Sequence, residues 1–332
     1  MEPNAGTAVG TGMSTPNLNR RDLLALAGCG GVVFASGLGG CARAASESAV
    51  GAPAAAVTPR PTADDFFFLQ LSDTHWGYRG DANPEAAVCL KRTIERINAV
   101  EARPDFVVFT GDLTHRTEDS AERRDRMAEF LEIARGLKTE RLVFLPGEHD
   151  AAADDGAAYH EHFGDPYQAF EHRGVHFITL DNATRLGGTL GDEQLTWLSA
   201  RVAAVPAGAA LVVLAHRPLF ELFPAWDWAT SDGARAVEVL SRHGAVDVFY
   251  GHIHQEHHRV TGTVSHHAAR SLVFPLPAAG TAPKRLPLAW DPASSDHGLG
   301  HRSVRSSAGR STFTEVPFID AAASANAALT SL

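Results

Sequence analysis

Apolar positions between Asp65 and Asp165 fall into two alternating rhythms. Phe66-Phe67-Phe68-Leu69-Gln70-Leu71 is a nearly continuous apolar run of strand length, and Phe106 to Thr110 and Leu142 to Leu145 are two more. Runs of this kind predict strands buried on both faces. Between the first two, Leu90, Ile94 and Ile97 stand at helical spacing behind Asn83-Pro84, which offers an N-cap and a helix-starting proline. Met127, Phe130, Leu131, Ala134 and Leu137 mark a second amphipathic helix. A β-α-β-α-β order predicts parallel strands joined by crossover helices.

Beyond Asp165 the pattern changes. Tyr167 to Phe170 and Val175 to Leu180, split by His172-Arg173-Gly174, predict a hairpin. Gln194, Leu195, Trp197 and Leu198 begin another helix, followed by a strand at Ala210 to Leu214, a helix at Ala234 to Leu240 and a strand at Val246 to Tyr250. The chain past Gly262 is rich in turns and proline, with a strand expected at Ser271 to Leu276, and residues 291–332 carry little apolar periodicity. The folded domain is accordingly placed at 65–290, with 291–332 as a C-terminal extension of unclear structure. No internal repeat and no second domain boundary emerge.

The N-terminal 44 residues read as a targeting segment. Asn19-Arg20-Arg21-Asp22-Leu23-Leu24 sets a twin-arginine pair before an uncharged run, Leu23 to Leu38, that is short and Gly-rich for a membrane span. Leu38-Gly39-Gly40-Cys41 resembles the lipid-attachment box of bacterial lipoproteins. Leu26-Ala27-Gly28-Cys29 fits that box better by letter but leaves almost no apolar run before it, and Ala42-Arg43-Ala44 suits ordinary cleavage. The expectation is export by the twin-arginine route to the periplasm or cell envelope, with a membrane tether through Cys41 as the further reading. Residues 45–64, rich in Ala, Pro and Ser, have the composition of a flexible tether. Past residue 44 the only cysteine is Cys89, so no internal disulfide is available to the exported part.

The net charge of -10 argues against a nucleic-acid backbone as partner. Seventeen histidines give the chain many candidate metal ligands, and their placement is informative. Ser72-Asp73-Thr74-His75 follows the first strand, Gly111-Asp112 the second and Gly147-Glu148-His149-Asp150 the third. Ala215-His216-Arg217-Pro218 follows Leu214, and Gly251-His252-Ile253-His254 follows Tyr250. Each of these five strand ends delivers an Asp, Glu or His, and ligand sites in open α/β sheets form at the carboxyl ends of strands. Carboxylates and imidazoles without thiolates suit Mn, Fe, Zn, Co or Ni. Seven candidate ligands exceed one tetrahedral ion and suit two ions sharing a carboxylate, which at a separation of about 3.5–4 Å can clamp the attacking and leaving oxygens of a displacement at phosphorus. Singly, Asp73 and Asp112 read equally well as helix caps.

D-x-H, G-D, G-x-H-D, H and G-H-x-H, in this order across residues 73–254, resemble the calcineurin-like metallophosphoesterase superfamily, and the Ser-Asp-Thr-His opening is similar to its branch of bacterial cyclic-nucleotide phosphodiesterases. The resemblance implies a four-layer α/β/β/α sandwich of α/β class. It implies one metal held by Asp73, His75 and His254, a second by Glu148, His216 and His252, and Asp112 bridging them. It further implies hydrolysis of a small phosphate ester by a metal-bridging hydroxide, with His149 outside the ligand set, stabilising or protonating the leaving oxygen. Asp150 is expected to orient its neighbours. Glu148 departs from the Asn of the family pattern, which adds a negative charge and favours monoanionic diesters over dianionic monoesters. The other reading is a metal-binding module of the same fold with little or no turnover. Trp76, Tyr78 and Arg79 are candidate substrate contacts or rim packing. His257-His258 and His266-His267 are expected to be exposed strand or loop residues, and His115 takes the default surface or core reading.

Overall fold

Two sheets packed face to face carry the site, and a computed structural model describes them over residues 65–307 and 310–317. The targeting segment, the tether and residues 318–332 lie outside the described residues. The first sheet has the order β11-β10-β1-β2-β3, built from β1 (Phe66–Leu71), β2 (Phe106–Thr110), β3 (Arg141–Leu145), β10 (Gly300–Ser307) and β11 (Arg310–Pro317). The second has the order β4-β5-β6-β7-β9-β8, from β4 (Ala169–His172), β5 (Val175–Thr179), β6 (Ala210–Leu214), β7 (Val246–Tyr250), β8 (His257–Thr261) and β9 (Val264–Ala268). Helices α1 (Ala86–Ala99) and α2 (Ser120–Ala134) cover the first sheet. Helices α5 (Gly191–Ala204) and α6 (Gly233–Ser241) cover the second. Between them, α3 (Glu148–Ala151) and α4 (Ala157–Phe163) are short.

The period of two along each strand explains the unbroken apolar runs. Phe66 and Phe68, Phe106 and Val108, and Val212 and Leu214 point between the sheets. Leu69 and Leu71, with Val107 and Phe109, point the other way onto Leu90, Ile94, Met127 and Phe130 of α1 and α2. Leu211 and Val213 likewise meet Leu195, Leu198, Val237 and Leu240 of α5 and α6. Three apolar layers separate four layers of secondary structure, and the α/β/β/α sandwich is the observed fold. β1, β2, β6 and β7 are buried on both faces, which is why they read as nearly unbroken apolar runs.

Three expectations need correction. Residues 300–317 are not an extension: β10 pairs antiparallel with β1, from Phe66↔Ser306 to Gln70↔Arg302, and β11 pairs with β10. The boundary at residue 290 therefore falls inside the fold. Apolar periodicity missed β10 because most of its buried residues are polar. Val304 enters the core, while the buried Arg302 donates to Gln70 Oε1 at 3.2 Å and to the carbonyls of His267 and Ala268. Ser271 to Leu276 is a buried loop and no strand. Its polar groups serve neighbours in place of a ladder, Ser271 Oγ donating to the Asp73 carbonyl at 2.9 Å. The doublets lie on the antiparallel β8–β9 hairpin, where His266 and His267 are buried. A smaller shift is that α1 starts at Ala86, because Asn83 uses its amide to hold Val273 O and Glu85 N.

Candidate metal centre

Parallel strands deliver their carboxyl ends to one edge of the sandwich, and there the turns leave the ordinary backbone regions. Asp73, His75, Asp112, His252 and His254 all have positive φ, between 41° and 66°. Among the described residues only three other non-glycine residues do so. Side chains other than Gly, Asn and Asp seldom adopt this conformation, and its concentration at five predicted ligands marks a site where geometry outweighs backbone comfort. Two glycines make room. A Cβ on Gly147 would fall 2.1 Å from Asp112 N, and one on Gly251 would fall 1.9 Å from Ser72 Oγ.

The seven side chains converge as two groups sharing one member. Asp73, His75, Asp112 and His254 place one ligand atom each within 4.8 Å of one another, and so do Asp112, Glu148, His216 and His252. Asp112 Oδ2 sits between the groups, 3.5 Å from His75 Nε2 and 3.5 Å from His216 Nε2. In the first group His254 Nε2 lies 3.3 Å from Asp73 Oδ1 and 3.2 Å from His75 Nε2. In the second, Glu148 reaches His216 Nε2 at 2.9 Å with one oxygen and His252 Nδ1 at 3.1 Å with the other.

Tautomers decide what these contacts need. His216 Nδ1 stands 2.7 Å from the Thr110 carbonyl and His254 Nδ1 2.7 Å from the Phe274 carbonyl. A carbonyl only accepts, so both nitrogens donate and both Nε2 atoms present lone pairs. Those lone pairs face Glu148, Asp112 and Asp73, which as carboxylates have no hydrogen to offer. His252 Nδ1 makes no hydrogen bond although Glu148 stands beside it. Lone pair facing lone pair in a buried site calls for a cation, and outer nitrogens tied to backbone carbonyls are how metal-binding imidazoles are held. The carboxylates favour positive charge at this spot: burial lowers the His216 imidazole, but Asp112 and Glu148 together lift it well above its ordinary value, so without metal a proton on Nε2 takes the place a metal ion would fill. Burial prevails at His75 and His252, which lie low and stay neutral. Three clustered carboxylates, three inward-facing ring nitrogens and no thiolate fit oxygen- and nitrogen-preferring transition ions.

The surrounding residues hold this arrangement. Asp73 Oδ2 accepts from Ser72 Oγ at 2.6 Å, and both its oxygens accept from His252 N at 3.1 Å. Asp150 accepts from the backbone N–H groups of Leu113, Thr114 and Gly147 at 2.8–2.9 Å and from the Thr114 hydroxyl at 2.9 Å, clamping the Asp112 and Glu148 turns together. His149 Nδ1 accepts from Arg116 N at 3.2 Å, which puts its proton on Nε2. Its ring lies beside His75, with centroids 4.6 Å apart. Tyr78 packs at the rim against His115 and Phe274, whereas the Trp76 indole turns to Glu129 on α2 and is packing. Arg79 is exposed.

Three residues of the site escaped the sequence reading. His115 Nδ1 lies 3.3 Å from His75 Nδ1, the outer nitrogen that in the other rings meets a carbonyl, and burial followed by His149 pulls its pKa down to about 4. Its position three residues after Asp112 was the available signal. Arg217 is buried, with Nη2 2.7 Å from Asp227 Oδ2 and 3.6 Å from Glu148 Oε2. Its place next to His216 could have drawn attention. Arg285, from the Pro-rich segment, brings Nη1 to 3.3 Å from His252 Nε2, and nothing local signals it.

Known proteins share both sequence and fold. A probable cyclic nucleotide phosphodiesterase from Rhodococcus erythropolis is 29% identical over 212 residues, covering 59% of this chain and 66% of that protein. A cAMP/cGMP dual specificity phosphodiesterase from Mycobacterium tuberculosis is 30% identical over 218 residues, covering 60% of this chain and 64% of its own. The chain thus spans just under two thirds of these relatives. A dimetal phosphatase from Danio rerio has the same fold at 14% identity, with a TM-score of 0.52 over 76% of this chain and 99% of that one. The model of the calcineurin-like phosphoesterases, a metal-dependent and hydrolytic family, matches residues 68–256, over half of the sequence, and the chain belongs to that family.

Proposed function

We propose that the protein is an exported phosphodiesterase that works with two metal ions on a small phosphate diester, cyclic nucleotides being the first substrates to assay. One observation carries this reading: two four-residue ligand groups that share Asp112 and turn the inner ring nitrogens of their histidines onto carboxylates. Asp73, His75 and His254 would hold one ion, Glu148, His216 and His252 the other, with Asp112 common to both. Bound ions supply Lewis acidity and bring water within reach of ionisation near neutral pH. The protein supplies the rest. His149 holds a proton on Nε2, where it can pass to the leaving oxygen. Arg217 and Arg285 set cationic groups beside Glu148 and His252, where they would pair with the oxygens of a bound phosphate. The twin-arginine motif and the apolar run behind it support export to the cell envelope, with Cys41 as the lipid anchor.

A direct test is hydrolysis of bis(4-nitrophenyl) phosphate, 3′,5′-cyclic AMP and a phosphomonoester by protein loaded with Mn²⁺, Fe²⁺, Zn²⁺ or Co²⁺. Turnover of the diesters that vanishes on chelation and returns with metal is the expected result. Two bound ions without hydrolysis of any diester would instead favour the metal-binding module.

Glu148 tunes the charge that substrate meets, partly offset by the buried Arg217. Glu148→Asn removes one negative charge beside the phosphate and leaves Arg217 to Asp227 alone. At full metal occupancy, kcat/KM for a dianionic monoester relative to a monoanionic diester is expected to rise about tenfold, about 1.4 kcal/mol of differential stabilisation. An unchanged or lower ratio rules out this role for the charge.

A further inference from the structure

The β8–β9 hairpin carries histidines that the centre does not use. His258 on the edge strand β8 and His267 on β9 are register partners, so their side chains share one face of the ladder, and their Nδ1 atoms lie 3.0 Å apart. Each of the other ring nitrogens is set against a carboxylate: His258 Nε2 is 3.1 Å from Glu256 Oε1, and His267 Nε2 is 3.3 Å from Asp247 Oδ1. An ionised carboxylate only accepts, so both Nε2 atoms donate and both Nδ1 atoms turn lone pairs toward each other. A cation between the two nitrogens would satisfy both lone pairs.

A shared proton and a metal ion are the two candidates. Burial lowers the pKa of His267, with Asp247 acting against it, which weighs against an extra proton on that ring at neutral pH. Distance suits a metal as well as it suits a hydrogen bond. Two nitrogens bonded to one ion at about 2.0–2.1 Å stand about 3.3 Å apart in tetrahedral geometry and about 2.9 Å in square-planar geometry, and 3.0 Å falls between. A carboxylate behind each ring is the support that fixes the tautomer of a metal-binding histidine. The His258 side chain is 41% exposed, which leaves the outer side open for water to complete the coordination shell.

We propose that His258 and His267 form a further metal site, outside the two groups of the centre, for an ion that prefers imidazole nitrogen: Zn²⁺, Cu²⁺ or Ni²⁺. Glu256 and Asp247 orient the rings and are not ligands. An ion here staples the edge strand β8 to β9. From β9 the chain runs into the loop whose Ser271 hydroxyl donates to the Asp73 carbonyl and whose Phe274 carbonyl accepts from His254.

The test is equilibrium dialysis of the full chain against Zn²⁺, with His258→Gln and Asp247→Asn variants in parallel. Wild type is expected to retain one equivalent more than His258→Gln, and Asp247→Asn to bind that equivalent about tenfold more weakly. Cu²⁺ in place of Zn²⁺ is expected to show two-imidazole nitrogen couplings by EPR that His258→Gln reduces. Because only the difference between chains is read, the outcome does not depend on how many ions the centre holds. Equal metal content in wild type and His258→Gln, as a shared proton predicts, overturns the proposal. So does a two-imidazole copper signal as intense in His258→Gln as in wild type.

Discussion

Asp112→Asn is expected to lower diester turnover at least about a thousandfold, a loss of about 4 kcal/mol of transition-state stabilisation. The magnitude follows from position. One oxygen of Asp112 lies 3.5 Å from a ring nitrogen of each ligand group, so this single carboxylate would serve both ions of the proposed centre. Asparagine matches its shape, and its carbonyl can still accept from His149 N, which Asp112 Oδ1 does at 3.0 Å. The amide lacks the charge and the second acceptor that bridging requires. Metal analysis is therefore expected to find fewer than two ions in the centre. The metal-free variant is expected to fold with somewhat lower stability than metal-free wild type. Against burial and Glu148, the surrounding imidazoles of His149, His216 and His75 hold the Asp112 carboxyl well below its ordinary value, and in the variant they lose that charged partner. That combination, turnover lost with the fold intact, separates a bridging role from a structural one. Two tightly held ions and turnover near wild type in Asp112→Asn would exclude bridging.

The second large effect is expected at a residue with no functional group. Gly251→Ala would put a methyl 1.9 Å from Ser72 Oγ and 2.6 Å from Asp73 Oδ2. These atoms cannot yield cheaply. The Ser72 hydroxyl donates to Asp73 Oδ2 and lies 2.8 Å from Thr110 Oγ1, and Asp73 is fully buried. The end of β7 is thus pressed against the end of β1, and the methyl must drive the two apart or turn Asp73 away. Overpacking of this kind costs about 1–3 kcal/mol, which a melting curve will register. A ligand displaced by about 1 Å costs on the order of a hundredfold in turnover. Adding Ser72→Gly removes the nearest clash and is expected to restore part of the stability, while the Asp73 contact keeps activity low. An alanine variant with wild-type metal affinity would show that the strand ends are less tightly packed than these distances require.

Much of this molecule is legible in one dimension, and the exceptions have physical causes. β1, β2, β6 and β7 are buried on both faces and stand out as apolar runs, and β3 shows a similar run at the sheet edge. The chemistry stands out because parallel strands put their carboxyl ends on one side, where a residue just past each run meets the others. β10 was hidden because its buried residues include Arg302, whose donors are satisfied by Gln70 and by carbonyls of the neighbouring sheet. A buried charge satisfied from afar has no local pattern. His266 and His267 looked exposed for the same reason, since a hairpin at a sheet edge buries one residue or another according to what packs over it. The loop at Ser271 to Leu276 has strand composition but gives its polar groups to Asp73 and His254, a competition that no local window contains.

The order of apolar runs and the ionisable residues that close them determined the layered architecture and the identity of the seven converging side chains, because both follow from local periodicity and the single direction of parallel strands. Tertiary structure alone decided which carboxylate lies between the two groups, which ring nitrogens face inward, and that Arg217 and Arg285 stand beside them. Those outcomes depend on carbonyls and side chains tens to hundreds of residues away, and only the packed chain brings them within a hydrogen bond's reach.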